Sequence, residues 1–223
     1  MENVVSNEIK RHPKTSTLTL ILLLTLIVAF VGAFKQSNWS SMIIVIITAV
    51  LICLPRMISR FCKVEIPGKL GFYAVLFIYA TLFLGELKNY YAKFWWWDVL
   101  VHTSSGLAFG IVGFLILHVM YSTGKIKTSP KMVAMFAFAF ALALGALWEI
   151  VEFGIDSAFS TVRMQGGSLS DTMWDLIVDS LGALFSAIMG YLHLKKESGI
   201  VVKSMMKEFK KDNPKMFKKN NKK

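Results

Sequence analysis

The sequence predicts an all-α, polytopic membrane protein with six transmembrane helices and both termini in the cytoplasm. Its 223 residues are 55% hydrophobic and only 17% charged, with a mean hydropathy of +0.55. Such a composition is rare in soluble domains. The apolar residues fall into six segments, most of them near the length that crosses a bilayer. All but four of the 25 Lys and Arg residues lie in alternate connecting segments or at the termini, as the positive-inside rule requires.

The predicted helices follow the apolar segments in chain order. They are residues 16–34, 40–54, 70–84, 98–121, 132–155 and 173–194. The second is short for a span. The first follows Lys10, Arg11 and Lys14 as a signal peptide would, but it is too long and lacks a clear cleavage site, so we predict a retained span. This division predicts a cytoplasmic N-terminus (1–15), a membrane domain (16–194) and a basic cytoplasmic tail (195–223).

Positive charge sets the predicted orientation. With the N-terminus in the cytoplasm, the basic residues left outside are Lys35, Lys88, Lys93 and Arg163. The lysine-rich tail then lies inside. It has two interpretations, which the sequence leaves open. The tail could contact anionic lipid headgroups, or it could be solvated and act only as a topology signal. The apolar anchors of the lipid interpretation are Val202, Met205, Met206 and Phe209.

Acidic residues show the opposite bias, because eight of the 14 lie at or near the predicted outer helix ends. They are Glu86, Asp98, Glu149, Glu152, Asp156, Asp171, Asp175 and Asp179. Acidic residues contribute little to topology, so membrane insertion does not require this arrangement. Ionisable groups near a bilayer are costly and mark functional sites. The bias therefore predicts a site at the outer ends of the last three helices.

On each of these helices the acidic residues continue into small residues at four-residue spacing. The fourth helix reads Asp98, His102, Gly106, Gly110; the fifth reads Ala137, Ala141, Gly145, Glu149, with Glu152 adjacent; the sixth reads Asp171, Asp175, Asp179, Ala183, Ala187. Residues four apart share a helix face, and small residues mark faces where membrane helices pack closely. The acidic side chains are therefore predicted to point into a seam between helices rather than into lipid.

A divalent cation is the economical way to hold several carboxylates in one pocket, since they otherwise need protons or scarce basic partners. The predicted metal ligands are Asp98, His102, Glu149, Glu152, Asp175 and Asp179. The candidate catalytic residues, for proton transfer, are His102, Glu149 and Glu152. Oxygen ligands with one imidazole suit Mg, Mn, Ca, Fe or Zn, and spacing does not choose among them.

The competing interpretation is that these acidic residues only cap helices or sit in water. Asp98 and Asp171 fit it, because they lie where predicted helices begin and the helix dipole is positive. Glu149 and Glu152 fit it poorly, because they lie near a predicted helix C-terminus. Asp156, like Glu86, is predicted at the rim, in or beside a loop.

Other classes of function and site lose support from the sequence. The lysines are not interleaved with aromatic residues on a folded face, so we expect no nucleic-acid partner despite the net charge of +11. Cys53 and Cys62 lack a CxxC partner, so neither a thiolate metal site nor a disulfide framework is expected. His118 and His193 lie at predicted cytoplasmic helix ends, where we expect interface residues rather than ligands.

Four stretches of sequence carry a resemblance. They are Gly85-Glu86; Trp96-Trp97-Asp98 through His102 with Ser105-Gly106; Trp148-Glu149 with Glu152-Phe153; and Asp171-Thr172-Met173 through Asp175-Leu176 and Asp179 with Gly182-Ala183. In this combined spacing, over residues 70–192, the chain resembles the YjdF-like family of bacterial inner-membrane proteins. The resemblance implies a multi-pass protein of the bacterial cell membrane with the same acidic positions, and it supplies no reaction.

The leading prediction for function is metal-assisted hydrolysis or transfer on a lipid or cell-envelope substrate. The alternatives are a cation transporter or channel, and a non-catalytic scaffold held together by metal. Against transport, we find no acidic stripe at mid-membrane and no interrupted mid-helix pattern. Against catalysis, no motif names a nucleophile. Membrane lipids are the expected partners, and the sequence leaves the substrate, the metal and the oligomeric state open.

The predicted topology can be tested with single cysteines in a background where Cys53 and Cys62 are replaced by alanine. Reporters in the 85–97 and 156–170 loops should react with a membrane-impermeant thiol reagent in intact cells, because positive charge holds the other loops inside. A reporter in the tail should react only after permeabilisation. The reverse pattern would move the acidic residues to the cytoplasmic face.

Overall fold

The computed structural model describes residues 12–159, 164, 166, 168–196 and 200–217. The regular elements in these ranges are helical. The α-helices are α1 (Pro13–Lys35), α2 (Trp39–Ile52), α3 (Leu54–Cys62), α4 (Gly68–Ile78), α5 (Tyr90–Lys93), α6 (Trp95–Ser122), α7 (Pro130–Phe159), α8 (Leu169–Lys196) and α9 (Ile200–Asp212). A π-helix, Tyr79–Leu87, continues α4, and a 3₁₀ turn, Pro214–Phe217, follows α9. The predicted N-terminus lies mostly outside the described residues.

Candidate spans confirm the all-α polytopic membrane prediction. Five helices in the described ranges are long and apolar enough to cross a membrane, or six if α2 and α3 form one broken span. Those two helices meet at a bend of 44°. Pro55, in the first turn of α3, has no N–H to donate to the preceding turn, so it suits a helix start and not an uninterrupted helix. This break explains why the second apolar segment looks short in the sequence.

Residues 12–94, together with 211–213, form one compact unit. Its apolar core consists of Leu22, Leu26, Val45, Ile52, Val75 and Phe83. Two fully buried threonines donate to their own helices: Thr19 Oγ1 to the Thr15 carbonyl at 2.8 Å, and Thr48 Oγ1 to the Ile44 carbonyl at 2.7 Å. Each hydroxyl is thereby satisfied within one helix, as an apolar surrounding demands.

The π-helix in this unit departs from the expectation of uninterrupted helices. Over Tyr79–Leu87 the backbone is wound more widely than an α-helix. The stretch is followed by Asn89, whose φ of +59° lies in the left-handed region. Such local rewinding is often found at functional sites. No periodicity in the sequence predicts it, because side-chain patterns over one or two turns fit both windings.

Residues 95–210, with 214–217, form a second compact unit in which α6, α7 and α8 pack against one another. α6 and α8 approach with their backbones in direct contact. A Cβ atom added to Gly106 would collide with the Asp179 carbonyl oxygen, and one added to Gly182 would collide with the Thr103 carbonyl oxygen. A Cβ at Gly110 would strike the Ser186 side chain. The predicted small-residue seam is confirmed for this helix pair.

α7 joins the seam through the small residues that the sequence indicated. Ala137 and Ala141 are fully buried, and Ala183 of α8 is equally inaccessible. A Cβ at Gly145 would lie 2.6 Å from the Asp179 Oδ2 atom. The carboxylate of α8 therefore rests against bare backbone of α7, and the face that carries Glu149 one turn later points the same way.

The tail helix α9 directs apolar side chains toward the protein. Met205, Met206 and Phe209, three of the four apolar anchors of the lipid interpretation, are buried, and the side chain of Val202, the fourth, lies outside the described part of the chain. Met205 lines a small cavity together with Phe114 of α6 and Gly190 of α8. The exposed side of α9 carries lysines, among them Lys203 and Lys207. An amphipathic pattern alone cannot tell a protein surface from a lipid surface, since both reward apolar burial.

Replacement of the seam glycines should reveal how closely α6 and α8 must pack. Gly106→Ala should lower the melting temperature of the protein in detergent, because the added methyl group meets the backbone of α8. Overpacking of this kind costs about 1–3 kcal/mol. Gly154→Ala is the matched control in the same unit, since nothing lies within 4 Å of its added Cβ. It should be neutral or stabilising by up to about 1 kcal/mol, the usual gain in helix propensity. Equal melting temperatures for the two variants would contradict the close packing.

Candidate metal centre

The first three turns of α6, the first three turns of α8 and the last three turns of α7 lie together in the second unit. We call this region the acidic end. Its ionisable residues are Asp98, His102, Glu149, Glu152, Asp156, Asp171, Asp175 and Asp179. Five of its carboxylates belong to buried residues: Glu149, Glu152, Asp156, Asp175 and Asp179. The structure thus brings all six sequence-predicted ligands into one region, on three different helices.

His102 lies at the centre, with a carboxylate facing each ring nitrogen. Its Nδ1 atom is 3.3 Å from the Asp179 Oδ2 atom. Its Nε2 atom is 3.6 Å from Asp98 Oδ1 and 3.9 Å from Asp175 Oδ1. A carboxylate only accepts hydrogen bonds, so Nδ1 carries a proton and donates it to Asp179. In a neutral ring this tautomer directs the Nε2 lone pair toward Asp98 and Asp175.

Asp179 is itself held in place. It is 1% exposed, and the Ser105 hydroxyl lies 2.6 Å from its Oδ1 atom and 2.8 Å from the His102 carbonyl oxygen. The hydroxyl has one proton, and the shorter contact, to a charged acceptor, is favoured. Ser105 follows His102 by three residues on α6, so both meet α8 on one face. No role for Ser105 was predicted from the sequence, although its three-residue spacing from His102 is the signal that indicates one.

Glu149 is a buried carboxylate whose hydrogen bonding is incomplete. The residue is 5% exposed, and within the described part of the chain neither carboxylate oxygen meets hydrogen-bond geometry with any group. The Thr172 side chain is close enough to interact with it, as are the charges of His102 and Asp179. Glu149 therefore points into the acidic end, but its oxygens are unsatisfied there. Buried polar atoms of this kind are rare and call for an explanation.

Glu152 lies one turn further along the same face of α7 and is 6% exposed. It experiences repulsion from Glu149 and lies within electrostatic reach of His102 and Asp98. α7 continues to Phe159, beyond the predicted end at Ile155. Both glutamates are thus more than a turn from the helix end, where the dipole has little effect. Burial, and not the dipole, is what makes their charges costly.

Asp156 and Asp171 have structural partners. Asp156 was predicted at a solvated rim, but it is buried, and the Met164 backbone N–H donates to its two oxygens at 3.1 and 3.0 Å. Asp171 lies in the first turn of α8, where the Ser168 hydroxyl accepts its backbone N–H at 3.2 Å. Ser168, rather than Asp171, is therefore the capping residue. Asp171 packs against Gly166, whose φ is +53°.

Basic side chains do not balance this charge in the described part of α6, α7 and α8. α6 contains no Lys or Arg, and the lysines of the other two helices, Lys131, Lys195 and Lys196, lie at the opposite ends. Arg163, one of the four basic residues predicted on the outer side, is not among the described residues. Among the described side chains of the acidic end, His102 is the one that can carry a positive charge, and it faces several carboxylates. The donor set therefore fits a bound cation.

Three of the predicted ligands are close enough to share one ion. Single ligand atoms of Asp98, His102 and Asp175 all lie within 4.8 Å of one another. Ligand atoms about 2.1 Å from a cation are separated by roughly 3.0–3.5 Å at octahedral or tetrahedral angles. The distances from His102 Nε2 are slightly longer than this, so small side-chain movements would complete the site. Mixed imidazole and carboxylate ligands suit Zn, Mn or Fe.

Asp156→Ala should destabilise the protein without removing a cation site. The change leaves the part-buried Met164 N–H without its acceptor, a loss of about 1–3 kcal/mol. Thermal unfolding in detergent should show the decrease, and metal content should stay near the wild-type value. Loss of metal content in a folded Asp156→Ala protein would instead place Asp156 among the ligands.

Comparisons with known proteins agree with the membrane architecture. The chain is 26% identical over 145 residues to a Thermotoga maritima protein named "Uncharacterized protein", a match that covers 65% of this chain and 72% of the relative. No solved structure matches the chain. Residues 15–196, a range that contains the whole acidic end, match the family described as "Predicted membrane protein (DUF2238)". The chain is therefore a member of this membrane-protein family.

Proposed function

We propose that this multi-pass membrane protein binds a divalent cation at its acidic end and uses it in hydrolysis or group transfer on a lipid or cell-envelope substrate. The observation that carries the proposal is the placement of His102 between carboxylates. The Asp179 carboxylate contacts one ring nitrogen of His102, and the other ring nitrogen faces Asp98 and Asp175. In proteins, metal-bound histidines commonly donate their second N–H to a carboxylate, which fixes the ring and its tautomer.

Within this proposal Asp98, His102 and Asp175 hold the cation, and Asp179 orients His102. Ser105 supports Asp179 from behind. Asp179 was predicted as a ligand, and its contact with Nδ1 favours the orienting role instead. Glu149 and Glu152 stand beside this set as further carboxylates, and in the simplest form of the proposal they accept protons.

Partial exposure of Asp98 supports a reactive role. Its side chain is 34% exposed, whereas those of His102 and Asp175 are each 6% exposed. Three protein ligands with an accessible side leave a coordination position for water or substrate, as in catalytic metal sites. A cation bound there would polarise a substrate oxygen or make a bound water more nucleophilic. The protein residues bind the cation and orient His102, and the carboxylates offset the charge of the cation.

The surroundings of the acidic end favour a substrate at the membrane surface. Exposed tryptophans surround it, namely Trp95, Trp96, Trp148 and Trp174. Tryptophan is enriched at the headgroup level of bilayers, so a lipid headgroup or an envelope precursor is the expected substrate class. Lys and Arg asymmetry supports an outward-facing site with both termini in the cytoplasm. The YjdF-like resemblance supports a bacterial inner membrane.

Cation transport is the second candidate, and the break at Cys53 with the π-helix at Tyr79–Leu87 favours it. Transporters use interrupted helices to build ion sites. Against it, the α6–α8 seam beyond Ser105 is closed by the backbone contact of Gly106 and by the contact of Gly110 with Ser186. Mn²⁺ uptake by proteoliposomes distinguishes the two. Uptake above empty vesicles that is lost in Asp175→Asn would favour transport over catalysis.

Elemental analysis of the purified protein tests the cation directly. The wild type should retain a divalent cation, and Asp98→Ala, His102→Ala and Asp175→Ala should each lose it. Asp179→Asn should bind about 10–100-fold more weakly, because the orienting carboxylate is gone while the ligands remain. Removal of the cation should lower the melting temperature, because binding to the folded state stabilises it by mass action.

Asp171→Asn is the comparison variant, because Asp171 lies at the same end of α8 and we expect a smaller effect there. Its cation affinity should stay within about threefold of wild type, since a partly solvated charge is screened. Background metal content in the wild type, with no response of stability to chelators, would contradict the proposal. Activity is then tested by phosphate or headgroup release from lipid vesicles with the same variants.

A further inference from the structure

Glu149 is not explained by a site that consists of Asp98, His102 and Asp175 alone. Its two oxygens are inaccessible to water and neither meets hydrogen-bond geometry with any group in the described chain, although the Thr172 side chain is close enough to interact. A proton would remove the charge of Glu149, but the carbonyl oxygen would still have no donor in hydrogen-bond geometry. Two unsatisfied oxygens that point into a cluster of negative charge are what a bound cation would satisfy.

Glu152 supplies a second carboxylate for such an ion. It follows Glu149 by three residues, so the two side chains are neighbours on one face of α7. Both residues are buried, and the charge of Glu149 acts on Glu152 more strongly than any other charge. Two buried carboxylates that repel each other are stable only if a proton or a cation lies with them.

Charge balance leads to the same result. One divalent cation at Asp98, His102 and Asp175 offsets two negative charges. Asp179 keeps its negative charge, but it is stabilised by hydrogen bonds from the Nδ1–H of His102 and the Ser105 hydroxyl. The charges of Glu149 and Glu152 then remain, on a helix whose described basic residue, Lys131, lies in the first turn at the opposite end. A second divalent ion offsets those two charges.

We infer that the acidic end takes two divalent cations and that Glu149 and Glu152 on α7 bind the second one. The inference rests on the proposed function, and it makes the two glutamates ligands rather than proton acceptors. Paired metal sites clamp the attacking and leaving oxygens of phosphoryl groups. The second ion would also remove the negative charge that otherwise repels a phosphate. The substrate class is thereby narrowed to phosphate esters or diphosphates carried by a lipid.

Mn²⁺ titration of the metal-free, full-length protein in detergent tests the inference. Isothermal titration and elemental analysis should give about two Mn²⁺ per wild-type chain, as expected for a paired site. Glu149→Gln should give about one, with the affinity of the remaining site within about threefold of wild type. Glu149→Asp keeps the carboxylate and should regain part of the second equivalent. Gel filtration and circular dichroism establish that each variant is folded.

The possible outcomes separate the inference from the proposed function. A wild type that binds no Mn²⁺ contradicts both. A wild type that binds one Mn²⁺, unchanged in Glu149→Gln, overturns the second site and leaves the first, and it indicates that the glutamates hold a proton. Loss of all Mn²⁺ in folded Glu149→Gln would assign Glu149 to a single shared site and also overturn the inference. The electron paramagnetic resonance signal of Mn²⁺ should weaken as the second equivalent binds, because the spins of adjacent ions couple. Such a decrease supports two adjacent ions.

Discussion

The close approach of α6 and α8 is the constraint on which the acidic end depends. Gly106 and Gly182 each lie against a backbone carbonyl of the opposite helix, and no side chain fits between them. Because Gly106 touches the carbonyl of Asp179, the turn of α6 that precedes it, with His102, lies beside the Asp179 side chain. The contact of imidazole with carboxylate is thus a consequence of glycine packing. A larger residue in the seam would separate the two groups without changing either of them.

Burial of the acidic residues has a free-energy cost that the packing alone does not offset. Carboxylates removed from water are stable only with protons, cations or donors nearby. Asp156 has such a donor in the Met164 N–H, and Asp179 has one in Ser105. Glu149 has none that meets hydrogen-bond geometry in the described chain. The residues at the acidic end therefore differ in kind, and the ones without donors are those that the proposed cations would complete.

Sequence reasoning reached the membrane helices and the shared face because both follow from one-dimensional patterns. Apolar length predicts a span, and four-residue spacing predicts that Asp98 and His102 face the same neighbour. Which side chains contact one another across helices does not follow from such patterns. Which carboxylate meets Nδ1, the contact of Ser105 with Asp179, and the burial of Asp156 depend on how far one helix slides along another. The apolar face of α9 raises the same problem, since Met205 and Phe209 would suit lipid or protein equally.

Helix polarity divides the acidic end into two halves that are stabilised differently. Asp98 and Asp171 lie in first turns, where unpaired N–H groups and the positive end of the dipole favour negative charge. α7 runs in the opposite direction, and its glutamates lie well inside the helix, so they receive no such help. The acidic end is therefore asymmetric, because α6 and α8 begin there and α7 ends there. Its α7 side has the greater need of positive charge from outside the chain, and that is also the side that contains the unsatisfied oxygens of Glu149.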